Sequence, residues 1–386
     1  MNQIDILSPP SDIDGLRLAL GSLDLSVTTR ANWLCELARL LARVGLTEES
    51  LKHAKEAIEL AETHALPSQK ANGLDAASVC HYYRGDHLMA IACGIDAYQG
   101  FAEQNEYAKM GHVLTSVAAS FAKVEAIDLA EETLRSCLNI AVRLGDDFLL
   151  ARTQNTLGIT LGDSGRFDDA EPFLNAAIVN YQRLGKPENI PEMMGAHGNL
   201  LKQHAEHLTA EKDIEGAKQF LRRGIVMVRQ GLDDAIACDH QYQIATQAGA
   251  LGEYYFLLGE FALAETHFDV ALARGRVLNH ASLIAETMLY LGRIAQENGN
   301  YADAIQWLRK GLTLTKEREL KALRPALHEA ISSVLKKMGE TADADAHADI
   351  ARELRRNLSA SHREIAREAR AMWLSHFSRH PMITSS

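Results

Sequence analysis

Small and apolar positions recur along the chain in one fixed order. A glycine is followed after four residues by a small residue, four positions later by an apolar or small one, and three later by another small one. The clearest copies read GRFDDAEPFLNAA from Gly165, GEFALAETHFDVA from Gly259 and GNYADAIQWLRKG from Gly299. The first small residues of the series are Ser50, Ala90, Ala130, Ala170, Ala217, Ala264, Ala304 and Ala344, spaced 40, 40, 40, 47, 47, 40 and 40 residues apart. Unrelated helices do not keep such a register. Positions one, five and eight of a helix share a face, so the pattern predicts a helix whose small side lies close against its neighbours.

The glycine before each such helix (Gly45, Gly85, Gly165, Gly259, Gly299, Gly339) can take positive φ and close the preceding helix in a tight turn. Glu125 and Lys212 hold that slot in the other two copies, where a longer or less sharp turn is expected. Seven residues before the slot lies a second small position, usually behind an apolar residue. It reads Leu37-Ala38, Ala77-Ser78, Val117-Ala118, Leu157-Gly158, Leu251-Gly252, Leu291-Gly292 and Ile331-Ser332, with His204-Ala205 as the weak copy. The chain is therefore expected to be all-α and built of eight two-helix units.

Two of these units, NTLGITLGDSGRFDDAEPFLNAA and GALGEYYFLLGEFALAETHFDVA, resemble tetratricopeptide repeats. Both carry the Leu-Gly, a large residue three later (Leu161, Tyr255), the turn glycine and an alanine-aromatic-alanine helix. The resemblance covers about Ala31 to Leu354 and implies a right-handed superhelical solenoid of about eight hairpins. The usual repeat has ~34 residues, so a 40-residue period lengthens each helix by roughly three residues if shared evenly. This longer unit looks like the arrays of bacterial regulatory and signalling proteins that precede diguanylate cyclase or DNA-binding output domains. No output domain is expected in this chain. Each 47-residue interval adds about two further helical turns. One contains Gly185-Lys186-Pro187 and Pro191, which are expected to interrupt a helix, and the other runs through Gly231-Leu232-Asp233-Asp234. The middle is thus expected to be irregular and, on that account, a place for function.

Three regions follow: an N-terminal segment over 1–27, with a short amphipathic capping helix from Ile13 to Leu23; the repeats over 28–351; and a basic helix and tail over 352–386. The helical pattern that begins near Ala344 continues to about Phe377, too long for a second repeat helix. Seven arginines stand against three glutamates from Arg352 to Arg379. A capping helix with a solvated face, a dimerising helix using Leu354, Leu358, Ile365, Met372 and Trp373, and an anion-binding helix all fit that pattern.

Charge and cysteine usage narrow the function. With a net charge of −11 and a pI near 5.8, the protein repels phosphate backbones, so nucleic acid is not expected as a partner. Five scattered cysteines (Cys35, Cys80, Cys93, Cys137, Cys238) form no CxxC pair and suit a reducing compartment. The opening MNQIDILSPPSDIDG lacks the basic and apolar regions of a secretory signal, and no stretch approaches the ~20 apolar residues of a membrane span. A cytoplasmic protein is expected. No phosphate-binding loop, dinucleotide fingerprint, HExxH or nucleophile elbow is present. His204 and His207 lie three apart beside Glu206 but lack further metal ligands, and Asp239-His240 reads as a helix start. Neither catalysis, a metal nor a cofactor is expected.

The resemblance implies that the first helix of each hairpin lines a concave, ligand-facing surface. Carried over by register, its candidates are Asn32, Arg39, Asn72, Tyr82, Tyr83, His112, Lys123, Arg152, Asn155, Asn199, Lys202 and Arg293, with Glu253, Phe256 and Glu286 in later units. Asparagine both donates and accepts, which suits an extended peptide backbone. Arginine and lysine suit a carboxylate, and tyrosine offers a ring with a polar tip. The expected partner is a protein or peptide with an acidic or C-terminal carboxylate motif. The stretch from His112 to Lys202 is expected to form a positive patch.

Overall fold

The computed structural model describes residue 10, residues 12–22 and residues 24–377. Leu23, the last residue of the expected N-terminal helix, lies outside them. The described residues carry seventeen α-helices. In order, these are α1 (Ile13–Ser22), α2 (Val27–Arg43), α3 (Thr47–Thr63), α4 (Pro67–Arg84), α5 (His87–Glu103), α6 (Tyr107–Lys123), α7 (Ile127–Leu144) and α8 (Asp147–Asp163). Then follow α9 (Phe167–Arg183), α10 (Ile190–Ala210), α11 (Ile214–Ala237), α12 (Gln241–Leu257), α13 (Phe261–Val277), α14 (Ala281–Glu297), α15 (Tyr301–Glu317), α16 (Arg324–Met338) and α17 (Thr341–Phe377). Even-numbered helices from α2 to α16 are the first members of the eight hairpins.

Every turn from α2 onward contains one left-handed residue. The first six are Gly45, Ala65, Gly85, Asn105, Glu125 and Gly145, at intervals of 20 residues. The 40-residue repeat is thus two helix-plus-turn halves of equal length, not a hairpin with one long connection. Glu125 (φ 63°) and Lys212 (φ 70°) adopt the same conformation as the glycines in that slot. The expected looser turns do not occur. Gly45 N donates to Ala42 O and Leu46 N to Leu41 O at 3.0 and 2.9 Å, and Glu125 N to Ala122 O and Ala126 N to Phe121 O at 3.1 and 3.0 Å. Both pairs satisfy carbonyls that the ending helix leaves open, so the bonding geometry outweighs the steric preference for glycine.

The small positions do what their spacing predicts. Ser50 Oγ donates to Ala38 O at 2.7 Å, Ser78 Oγ to Ala90 O at 2.6 Å and Ser332 Oγ to Ala344 O at 2.7 Å. In each case the two small residues of one hairpin lie so close that a serine reaches the partner backbone. A Cβ placed on Gly252 would come within 2.6 Å of Phe268, and one on Gly292 within 2.7 Å of Leu308.

The middle departs from the other hairpins as expected, but by lengthening and not by interruption of a helix. Hairpin five is longer in both helices: α11 has 24 residues, and α10 has 21 behind a 3-10 turn at Pro187–Asn189. Pro187 and Pro191 stand at the start of their elements, where the missing N–H costs no helical bond, and so they interrupt nothing. Gly231 lies within α11, with space for no Cβ against Met194.

The chain divides into two compact units. Unit 1 runs to Thr160 and includes the segment of α17 from His362; unit 2 is Leu161–Ser361. In unit 1, Leu16, Ala19 and Leu20 of α1 join Trp33, Leu37 and Leu41 of α2 in one apolar cluster. A second cluster gathers α5, α6 and α7 around Tyr98, Phe101 and Phe121, with Ala369 and Trp373 of α17. In unit 2, Tyr254, Phe268, Leu221 and Ile294 form a core, and Leu308, Ile331 and Val334 another. All five cysteines are free thiols. Burial pushes the Cys35 and Cys137 thiols up to about 12, which keeps them inert. No helix of the described residues is long and apolar enough to cross a membrane.

Candidate functional site

In unit 1, positions 40 residues apart on successive first helices meet side by side. Asn72 Nδ2 donates to Asn32 Oδ1 at 3.1 Å, and Arg39 reaches across from α2 to Asn72 Oδ1 at 2.6 Å and Asp75 Oδ2 at 2.7 Å. Burial by itself disfavours the Arg39 charge, but the Asp75 carboxylate outweighs it and holds the guanidinium firmly protonated. Farther along, Arg152 of α8 reaches back to α6. Its Nη2 donates to Ser116 Oγ at 2.7 Å, and its Nη1 lies 3.3 Å from both the carbonyl and the Nδ1 of His112. Burial, then the Arg152 charge, pushes His112 down to about 4, so the imidazole is neutral at pH 7. Asn155, one turn beyond Arg152, is buried, and its Oδ1 has no hydrogen-bond partner.

The remaining unit 1 candidates stand near helix ends. Tyr82 and Tyr83 meet edge to face at 5.4 Å, and Tyr82 also touches His87 at 5.6 Å. Tyr83 and Lys123 are exposed.

Unit 2 presents a different face. Lys202 of α10 pairs with Glu253 of α12, and that carboxylate raises the ammonium pKa against the effect of burial. Glu206 and Glu286 lie close enough to act on the same ammonium. Burial, reinforced by the Glu253 charge and opposed by Lys202, pushes Glu286 up to about 7. Arg293 lies over the Tyr290 ring at 5.5 Å, and Phe256 meets the same ring edge to face at 5.3 Å. Asn199 is exposed. The expected positive patch therefore does not form as such: His112 is neutral, Lys202 is neutralised, and Glu206, Glu253 and Glu286 make the unit 2 face acidic.

The other singled-out groups have structural surroundings. His204 stacks on Phe167 at 4.6 Å and meets Phe220 at 4.0 Å, which accounts for it as part of an aromatic column. His240 is the N-cap of α12, its Nδ1 accepting from Gln243 N at 3.4 Å. Among the described residues no group of three or more His, Cys, Asp or Glu side chains is placed to hold a metal ion. Of the apolar residues considered for a dimer, Trp373 is buried in unit 1, with Ile365 and Met372 packed beside it. Leu354 and Leu358 are half-buried.

Asp75, Ser116 and Glu206 were not among the sequence candidates. Each lies three or four residues from one that was, on the same helical face, so the 3.6-residue period already contained them.

The sequence profile of the tetratricopeptide repeat matches residues 242–317, which span α12 to α15. That stretch is tetratricopeptide-repeat sequence, and the hairpins on either side of it repeat the same helix-turn-helix form. The repeats of the chain have the fold of several solved structures. The Rap conjugation gene regulator of the plasmid pLS20, in complex with the Phr* peptide, aligns over 86% of this chain and 96% of its own at 12% identity and a TM-score of 0.56. A Rap protein complexed with Competence and Sporulation Factor aligns over 91% and 92% at 11% identity and 0.59. The apo form of the quorum sensor NprR from B. thuringiensis aligns over 88% and 91% at 11% identity and 0.57. No curated protein sequence matches the chain. Such low identities establish a shared repeat fold and carry no ligand-binding residue across.

Proposed function

We propose that this protein is a regulatory scaffold that binds a peptide on the first-helix face of unit 1. The observation that carries the reading is the row Asn32, Asn72, His112 and Arg152 at 40-residue intervals, in which Asn72 meets Asn32 and Arg152 meets His112, continued by buried Asn155, whose Oδ1 has no hydrogen-bond partner. A row of donors and acceptors at helix spacing suits an extended backbone, and Arg152 suits a carboxylate. The partner is accordingly a peptide with an acidic side chain or a free C-terminal carboxylate. The acidic unit 2 face disfavours such a ligand, which supports unit 1 as the place of the carboxylate. Two of the solved structures of this fold, the pLS20 regulator and the Rap protein, are complexes with the Phr* peptide and with Competence and Sporulation Factor, which supports ligand binding as the role of the repeats.

The experiment is a fluorescence titration of the full chain with a peptide library presented with free and with amidated C-termini. Arg152→Ala is expected to weaken the best binder at least tenfold, and Asn155→Ala several-fold. Unchanged affinity in the double variant would show that this face is not the site.

A further inference from the structure

The last part of α17 sits in unit 1 as a ligand sits in a receptor. Trp373 meets Phe121 edge to face at 5.1 Å, and Ala369 is fully buried beside it, with Ile365, Ala366 and Met372 partly buried around them. Polar contacts ring this narrow apolar centre. Arg370 Nη2 holds both oxygens of Asp128 at 2.7 and 2.6 Å, His362 lies 3.5 Å from Glu125, and Gln99 Nε2 lies 2.7 Å from His376 Nδ1. One central aromatic with an arginine beside it is the usual layout of a binding hot spot.

The stretch of α17 just before this segment is held at the surface, by the pair of Arg355 with Glu329, and not by a core. None of the ten residues from Arg352 to Ser361 is buried. The segment can therefore leave its seat without that stretch uncovering a core of its own. At its end the segment underfills the seat, leaving a cleft of about 280 Å³ bordered by Ile95, Asp96, Gln99, Met372, Ser375 and His376. Burial raises the Asp96 pKa, and nearby His376 and Lys70 lower it, so a cation reaching that cleft is favoured.

We propose that the seat formed by α5, α6 and α7 is a docking surface for a basic amphipathic helix of a partner protein, held shut in this state by the chain's own residues 362–376. Charge complementarity defines the occupant. The acidic rim of Asp96, Glu125 and Asp128 takes a helix with an arginine three residues before an aromatic, as Arg370 stands to Trp373. A tethered segment competes at an effective concentration of order mM, so a free helix enters only when it binds more tightly or when the segment is released.

The test uses the full-length chain and a labelled synthetic peptide with the sequence of residues 360–377. In the double variant Trp373→Ala/Arg370→Glu the built-in segment is weakened, and the peptide is expected to bind at least tenfold more tightly than to the parent chain. Adding Asp128→Arg is expected to abolish that gain, and a peptide carrying Arg370→Glu to restore it. Arg370→Glu alone, which changes only a surface pair, is expected to give a smaller gain and guards against misfolding in the double variant. No gain in either variant, with helical circular dichroism retained, would overturn the proposal, as would a gain indifferent to Asp128→Arg. Sedimentation showing that the released chain pairs with itself would overturn the partner helix in favour of a second copy. Arg152→Ala is expected to leave peptide capture at this seat unchanged, so failure here and failure of the first-helix face are distinguishable.

Discussion

Arg370 grips Asp128 across 242 residues of sequence, with one guanidinium nitrogen 2.7 and 2.6 Å from the two carboxylate oxygens. The pair is exposed (44% and 65%), so water screens it and its contribution is of order 0.2–1 kcal/mol. Trp373, 4% exposed against Phe121, makes the larger contribution. Denaturant unfolding is expected to show a loss of about 3–5 kcal/mol for Trp373→Ala and under about 1 kcal/mol for Arg370→Ala. Equal losses would mean that charge, not burial, holds the segment.

Lys212 occupies a turn slot in the left-handed conformation that glycine fills in six other hairpins. An L-residue there carries a cost of roughly 1–2 kcal/mol, partly balanced by the greater freedom that glycine loses on folding. Lys212→Gly is therefore expected to stabilise the protein by about 0.5–1 kcal/mol. Gly252→Ala should act in the opposite direction, by about 1–3 kcal/mol, because its Cβ would meet Phe268 at 2.6 Å. Thermal melts of the two variants check both signs.

His87, His112 and His328 are all pushed down to about 4, chiefly by burial. An unfolded chain takes up these protons below about pH 6.5, whereas the folded chain takes them up only near 4. The stability these groups contribute is complete above 6.5 and is lost as pH falls toward 4. Urea midpoints are expected to drop across that window. His112→Gln should make the drop shallower, since it removes the imidazolium that would otherwise form beside Arg152.

Glu286 has the opposite slope. Its folded pKa of about 7 lies above the ordinary carboxylate range, so its contribution is present below about pH 4.5 and is lost as pH rises through 7. Glu286→Gln is expected to be more stable than the parent at pH 8 and close to it at pH 4.5. A difference that did not change with pH would mean that burial of the carboxyl, not its ionisation beside Glu253, sets the effect.

Much of the fold was legible in the sequence because the repeat is a local device. A small residue at Ser50 and another at Ala38 lie 12 residues apart, within one hairpin, and the same contact recurs at Ser78 with Ala90 and at Ser332 with Ala344. The turn geometry at Glu125 and Lys212 was not legible, because side-chain preference argued against it while backbone bonding, invisible in the residue type, decided it. The candidate face was legible as a row of positions but not as a row of charges. Whether Lys202 is neutralised by Glu253 depends on which rotamers meet across two helices, 51 residues apart.

Spacing within one or two repeats was enough to place the eight hairpins and the two intervals that carry the seven-residue extensions. Only the tertiary structure decided that residues 362–376 return to α5, α6 and α7, that Trp373 is core and not an open dimer face, and that His112 is neutral. The physical reason is distance along the chain. Periodic contacts leave a periodic trace, whereas a single contact such as Arg370 to Asp128 is made once, between two surfaces whose complementarity exists only after both have folded.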